Sequence, residues 1–213
     1  MSGDAVSLIV VTALVSAGPL FLLSTTSYVK ASTVLHIVRS ALGAEGVPGA
    51  AVVTAFAFAL SLLVMAPVAT EVAARAAPAL ERADKDGAKA LLAAVEAAKE
   101  PLRAFVKANT SEKDRARYLA LATKAAGKAA APGADEFAVL LPAFLTTELQ
   151  EAFELGLLLL LPFLVVDLVV AGVLSSLGLS LPPRDVAFAL KLMLFVSVDG
   201  FGLVARALVA SYG

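Results

Sequence analysis

The stretch Leu155–Leu181, LGLLLLLPFLVVDLVVAGVLSSLGLSL, holds a single charge, Asp167, in 27 residues. A helix needs roughly 20 largely uncharged residues to cross about 30 Å of hydrocarbon, so this run is long enough to span a bilayer. Lipid cannot hydrogen-bond a bare backbone, which restricts spanning structures to helices and closed barrels, and the run has none of a barrel strand's alternation. Three other segments share its character. Ala5–Leu23 is uncharged, and no charge follows it before Lys30; Ala50–Thr70 lies in a charge-free stretch from Gly46; Val186–Val209 carries Lys191, Asp199 and Arg206. Pro19, Pro67 and Pro162 fall inside or near the ends of these segments and predict kinks or local breaks. The fold class read from these patterns is an all-α membrane protein, with four hydrophobic helical segments forming two hairpins.

Moving outward, the composition is uneven. The whole chain is 60% hydrophobic and 16% charged, against about 25% charged in ordinary soluble domains. Yet residues 71–136 hold 22 of the 35 charges. This divides the chain into an N-terminal hydrophobic hairpin (1–70), a polar Ala-rich helical region (71–136) and a C-terminal hydrophobic hairpin (137–213). Such a division argues against a single soluble core, and the hydrophobicity of the outer blocks excludes disorder there. A net charge of −1 gives no reason to expect nucleic acid. With no Cys there are no disulfides, thiolate metal sites or thiol nucleophiles.

In the polar block, Leu91, Val95, Ala98, Leu102 and Phe105 step by four and three residues, an apolar stripe on one helix face. Pro101 interrupts it and is expected to be the first residue of a new helix. Ser111-Glu-Lys-Asp114 has the form of a capping box and predicts a further helix start. Pro132-Gly133 ends the block. The stripe suits either a small helical region packed on itself or docking onto a sibling subunit.

Orientation is read from short connectors. Lys30 and Arg39 outweigh Glu45 between Ser24 and Gly49, and Arg184 lies in the Pro182–Asp185 turn. The positive-inside rule places both in the cytoplasm, and hence residues 71–136 and both termini on the far side. Asp4 is the only charge ahead of the first segment. A secretory signal carries a basic n-region, so the segment reads as a retained helix.

Ionisable groups within lipid are costly and are usually paired, so those of the C-terminal block are candidates for function. Glu148, Glu151 and Glu154 lie three apart along one drifting side of a helix, suited to an interface, to basic residues of a partner or to a water-filled passage. Asp167 follows Pro162 by five residues, and Lys191 and Asp199 lie about two turns apart. With the third segment carried to Leu181, Lys191 falls near the Pro182-Pro183 turn and Asp167 farther down. This reading disfavours a direct pair and favours contacts between subunits or with polar cavities. A small ion- or proton-coupled transporter relaying through Asp167, Lys191 and Asp199 is the alternative.

Enzyme readings find little support. Val-Asp167-Leu and Val-Asp199-Gly do not match the Tyr-Asp and Gly-x-Gly-Asp contexts of intramembrane aspartyl proteases. His36, the only histidine, has no matching nucleophile, and no Gly-x-Ser-x-Gly, P-loop or metal-ligand spacing occurs. No enzymatic activity, metal or cofactor is expected.

The longer motifs carry a family resemblance. Leu141-Pro-Ala-Phe-Leu-Thr-Thr-Glu-Leu-Gln-Glu-Ala-Phe153 runs toward Pro162-Phe-Leu-Val-Val-Asp-Leu-Val-Val170, and Lys191-Leu-Met-Leu-Phe-Val-Ser-Val-Asp-Gly200 follows. Together with Arg39-Ser-Ala-Leu-Gly43, Val64-Met-Ala-Pro-Val68 and Pro101-Leu-Arg-Ala-Phe105, they resemble the FliP/SctR family of type III export-gate subunits. The resemblance implies a structural subunit, not an enzyme, in the bacterial inner membrane. Five copies would join SctS/FliQ-like and SctT/FliR-like subunits in a helical, cone-like channel. That channel would project to the periplasmic side, work with SctU/FlhB-like and SctV/FlhA-like components, and conduct unfolded export substrates. It also implies a gate loop at Leu179, Ser180 and Leu181, where the family has a methionine-rich seal and this chain has no Met. Glu148, Glu151, Glu154, Asp167, Lys191 and Asp199 would set subunit register or line polar contacts. Pro142, Pro162, Pro182, Pro183 and Gly200 are the expected helix-shaping positions. Flagellar members commonly carry a cleavable signal, so the retained-helix reading points to an injectisome-type member.

Overall fold

The computed structural model describes residues 12, 16, 18–43, 48–81, 87–127 and 130–212, and among these there is helix, turn and irregular chain but no strand. Helical residues 18–24 precede seven further helices. These are α1 (Tyr28–Leu42), α2 (Ala50–Leu80), α3 (Gly87–Ala108), α4 (Glu112–Ala126), α5 (Phe137–Ser176), α6 (Pro183–Ser197) and α7 (Gly200–Ala210). Most of the Ala5–Leu23 segment lies outside the described residues.

Among the described residues, two helices are long and apolar enough to cross a membrane. The most apolar 18 residues of Ala50–Ala79 have a mean hydropathy of 2.3, and those of the 40-residue α5 reach 2.8. At 1.5 Å per residue α5 is roughly 60 Å long, twice the hydrocarbon thickness. Glu148, Glu151 and Glu154 therefore belong to the same helix as Leu155–Ser176. The fourth hydrophobic segment is not one straight span: α6 and α7 meet at an angle of 61°.

Prolines disturb these helices less than their chemistry suggests. Pro67 and Pro78 lie within α2, Pro101 within α3, and Pro142 and Pro162 within α5, and none of them ends its helix. Pro101 does not start a helix but sits in the fifteenth position of one already formed, and it is buried. Each proline removes one backbone hydrogen bond, and the bonds and packing on either side of it carry the helix across.

The connector between the first two hydrophobic segments also differs from its reading as a linker. Within it, α1 buries Lys30, Ala31, Val34, Leu35, Val38, Ala41 and Leu42. That is one face of a helix at steps of three and four. Fifteen residues are too few for a span, and the helix is held by packing instead. Gly43, at φ +78°, stops α1 in the left-handed conformation that glycine adopts without strain.

Two compact units share the described chain. One takes the residues up to Ser27 together with Leu63–Glu148, and the other takes Tyr28–Leu62 and Leu149 onward. In the first unit, Val106 packs with Leu140 and Phe144, Phe105 meets Phe144 edge-on at 6.1 Å, and Phe21 meets Phe137 at 5.4 Å. Ser111 caps α4 and accepts the Asp114 N–H. The returning arm of the capping box passes through a hydroxyl on another helix. Ser111 N–H donates to Thr147 Oγ1 at 3.2 Å, and Thr147 Oγ1 donates to Asp114 Oδ2 at 2.9 Å. At the other end of the unit, a 2.6 Å hydrogen bond from Lys107 holds the exposed Asp135 carboxyl below the usual carboxylate range.

In the second unit, the buried face of α1 packs with Val53, Ala57 and Leu60 of α2, Ala152 and Phe163 of α5, Phe195 of α6, and Val204 and Leu208 of α7. Gly156 lets α5 approach α1 closely, because a side chain there would run into Ile37.

Two predictions follow from the first unit. Thr147→Val strands the Ser111 N–H and should cost about 1–3 kcal/mol, read as a lower thermal midpoint with faster amide exchange at residues 111–115. Asp135's folded pKa lies below its unfolded value of about 3.9, so its contribution is complete above that value and fades as pH falls through the folded one. The stability difference between wild type and Lys107→Met should therefore stay constant from pH 5 to 8 and shrink in acid.

Candidate functional site: a pinned hairpin with an apolar tip

The α5–α6 hairpin turns at residues 177–182, where three local features fix its shape. Gly178 N–H bonds Ser175 O at 3.2 Å and Leu179 N–H bonds Leu174 O at 3.0 Å, with Gly178 at φ +64°. This is a complete Schellman termination of α5. Pro182 then takes the N-cap of α6 and Pro183 its first helical position, where the missing N–H costs nothing and the fixed φ suits the helix. Asp185 adds a negative charge to the first turn, which the helix dipole favours. Between these stops the tip exposes Leu177, Leu179 and Leu181, with Ser180 also exposed.

Behind the tip lies an ion pair that the sequence reading disfavoured. Lys191 Nζ is 2.6 Å from Asp167 Oδ2. The error lay in the position of the turn. With α5 ending at Ser176, Asp167 is nine residues from its end and Lys191 eight from the start of α6. At 1.5 Å per residue these are roughly 14 and 12 Å, so the two side chains stand level across the hairpin. The lysine side chain is 7% exposed and the aspartate 43%.

Lys191 Nζ also donates to Ala41 O at 2.9 Å. That carbonyl is among the last four of α1, which have no partner inside the helix, and a cation there is favoured by the helix dipole. One ammonium thus joins the end of α1 to both legs of the hairpin. A second lysine acts at the start of α1. Lys30, 1% exposed, is 2.6 Å from Glu151 Oε2, donates to Ser211 Oγ at 3.4 Å and lies 4.0 Å from the centre of the Tyr212 ring. Such a cation–aromatic contact adds roughly 0.5–2 kcal/mol.

The far end of α6 is set by Asp199, which has φ 52° and ψ 52° and stands at the N-cap of α7 without a side-chain cap bond. Asp tolerates this left-handed conformation better than most residues. Two glycines make room for the bend. A methyl on Gly200 would overlap the Phe195 ring, and one on Gly202 would overlap the Asp199 carboxylate. Phe195 and Phe201 then meet edge-on at 4.8 Å. Asp199 faces Arg206 at 3.4 Å, with both side chains about two-thirds exposed.

Comparison with known proteins places the chain in a family. The model of the FliP family matches residues 10–208. The chain belongs to the FliP family. It is 39% identical over 208 residues to "Pathogenicity-related ORF2" of Xanthomonas campestris pv. glycines, covering 96% of this chain and 95% of that one. It is 37% identical over 209 residues to "Hypersensitivity response secretion protein HrcR" of Ralstonia nicotianae, covering 97% and 96%. It is also 37% identical over 215 residues to "Flagellar biosynthetic protein FliP" of Caulobacter vibrioides, covering 97% and 76%. As a FliP-family chain it is a structural export-gate subunit of a bacterial secretion apparatus, without catalytic function.

The remaining candidate residues of this FliP-family chain take different places. Steps of three advance 300° around a helix, so Glu148, Glu151 and Glu154 fan out by about 60° each. Glu148 is buried in the first unit, Glu151 is half-exposed and bound to Lys30, and Glu154 is exposed. Asp167 and Lys191 come together, while Asp199, at the N-cap of α7, pairs with Arg206 farther along the same helix. His36 is exposed, and among the described residues no group of three His, Asp or Glu could hold a metal. The contributions of Lys30, Ala41, Gly156 and Gly202 were not anticipated. A lysine alone in an otherwise apolar stretch was the available signal for the first.

Breaking a fully buried ion pair costs about 3–5 kcal/mol. Asp167 is open on one side, so Lys191→Met should cost less than that, and the loss should already appear in thermal melting of the isolated subunit. A double-mutant cycle with Asp167→Asn should show the two changes to be coupled. Unchanged melting of the subunit combined with loss of a larger complex would instead assign Lys191 to an interface.

Proposed function

We propose that this chain is the FliP/SctR-type subunit of an injectisome-type export gate and that the Leu179–Leu181 loop seals its channel. The supporting observation is the hairpin tip itself. Three leucines stand exposed on a loop whose two ends are fixed by a Schellman stop and a Pro-Pro start, and a buried lysine holds the legs level behind them. An apolar constriction resists ion passage by dewetting. Leucine is less adaptable than the methionine usual in the family, so a seal made here would rest more on close packing and less on compliance.

In this reading the two hairpins and the Ala-rich region assemble as five copies with SctS/FliQ-like and SctT/FliR-like subunits into a cone-like channel. The channel takes unfolded substrates delivered with SctU/FlhB-like and SctV/FlhA-like components. Residues 71–136 lie on the periplasmic side. Exposed Leu157, Leu158, Leu161, Leu164, Val165 and Leu168 on α5 supply apolar surface for sibling helices and lipid. The names of the Xanthomonas and Ralstonia relatives, for pathogenicity and the hypersensitivity response, favour a machine of the injectisome type. A transporter relay through Asp167, Lys191 and Asp199 gains nothing from the geometry, because Lys191 is engaged by Asp167 and Ala41 O.

Replacing Leu179 and Leu181 together by Gly should raise ion leakage through the assembled complex, measured as conductance in planar bilayers, while leaving assembly intact on a native gel. Unchanged conductance in an intact complex would remove the loop from the seal.

A further inference from the structure

We propose that α3 of one copy of this chain docks antiparallel against α4 of the next copy. The proposal rests on the assembly of sibling copies argued above and names the faces that meet. Both helices belong to the first unit. α3 buries Ala94, Pro101 and Leu102 and turns Leu92, Glu96 and Glu100 to solvent on its other side. α4 turns Lys113, Arg117 and Leu121 to solvent. Within each set the residues are four apart, so each step rises about 6 Å and drifts about 40° around the helix. The sets run in opposite order, leucine, acid, acid along α3 and base, base, leucine along α4. Laid antiparallel, one register therefore brings Leu92 to Leu121, Glu96 to Arg117 and Glu100 to Lys113. The same register places Ala93 by Ala120 and Ala97 by Ala116, where small side chains allow a close approach of the helix axes.

Charge selects a second copy as the occupant. Among the described residues, the side chains of Lys113 and Arg117 have no ion-pair or hydrogen-bond partner. Glu96 is held by Lys99 and Glu100 by Arg103, each through Oε2 and within α3, and such surface pairs are weak. The two carboxylates are 71% and 58% exposed, and each keeps Oε1 for a second cation. Leu92 and Leu121 are 46% and 52% exposed, and docking removes both from water while opposite charges meet beside them. Complementary charge fixes partner and register more than it adds affinity, which suits a contact that must set neighbours in order. The two copies contribute different faces, so the contact is head-to-tail, the type from which rings are built.

The test uses the chain's lack of cysteine, which makes any introduced pair the sole source of a disulfide. In the detergent-purified full chain, Ala93→Cys combined with Ala120→Cys should give disulfide-linked multimers under mild oxidation. Ala93→Cys combined with Ala116→Cys is one turn out of register and should give several-fold fewer, because the bond tolerates little misplacement. Adding Arg117→Glu to the first pair should cut the multimers about fivefold, as a like-charge contact replaces an attractive one, and Glu96→Arg on top of it should restore them. Ala93, Glu96, Ala116, Arg117 and Ala120 are all exposed, so the thermal midpoint of the subunit should not move. Multimers that form equally well with the shifted pair, or that ignore Arg117→Glu, overturn the proposal, as does a disulfide confined to single chains. An oligomer on native mass spectrometry that yields no 93–120 multimers removes this pairing alone, whereas a wild-type chain found only as single copies removes the assembly reading and the pairing with it. If Arg117→Glu does not fold, the two cysteine pairs decide alone.

Discussion

An ammonium removed from water must have its N–H groups met, or it costs several kcal/mol. Lys191 satisfies this requirement with one carboxylate, Asp167, and one helix-end carbonyl, Ala41 O. The two partners and the lysine itself belong to three different helices, so the requirement fixes how α1, α5 and α6 register within their unit. Sliding either leg of the hairpin by one turn would move its charge by about 5.4 Å and strand the lysine. Hydrophobic packing alone tolerates slippage between smooth leucine-rich helices; a buried cation with two partners does not. Lys30 repeats the device at the other end of α1 with Glu151, Ser211 and Tyr212. In both pairs the lysine is buried and the carboxylate is nearly half-exposed. The cations therefore serve the interior of the subunit, while the carboxylates keep an open side.

What could be read in the sequence followed from how local each signal is. The second and third apolar runs, the Ser111–Asp114 helix start and the Pro182-Pro183 turn are each encoded within neighbouring residues, and each has its counterpart in the structure. The family motifs added the function. The misreadings came where distant contacts decide. Hydropathy continues smoothly through Leu177–Leu181, so it concealed the stop at Gly178, and that five-residue error separated Asp167 from Lys191 on paper. Pro101 looked like a helix start because its cost is local, whereas the burial that offsets it comes from packing. In α1, the deciding fact was burial against four other helices, which no window of fifteen residues can display.

Asp199 shows a different kind of illegibility. Its neighbours are apolar and the run from Val186 to Val209 has the length of one span, yet the chain bends by 61° there. Of the two glycines that permit the bend, Gly200 is an expected helix-shaping position through the family motif, whereas nothing local announces Gly202 or the size of the bend. Their role becomes visible only once the Phe195 ring and the Asp199 carboxylate occupy the space that side chains would need.

The consequence for the hairpin is mechanical. α6 has fifteen residues, about 22 Å, too short to cross the hydrocarbon alone. It is bounded on one side by the proline start that follows the leucine tip and on the other by the left-handed Asp199. Lys191 stands ninth in those fifteen, close to the midpoint. A short rod with a fixed turn at each end and one tight anchor near its centre cannot slide. The proline start and the left-handed Asp199 each lie eight residues from that lysine, so one set of bonds fixes the register of both ends of α6.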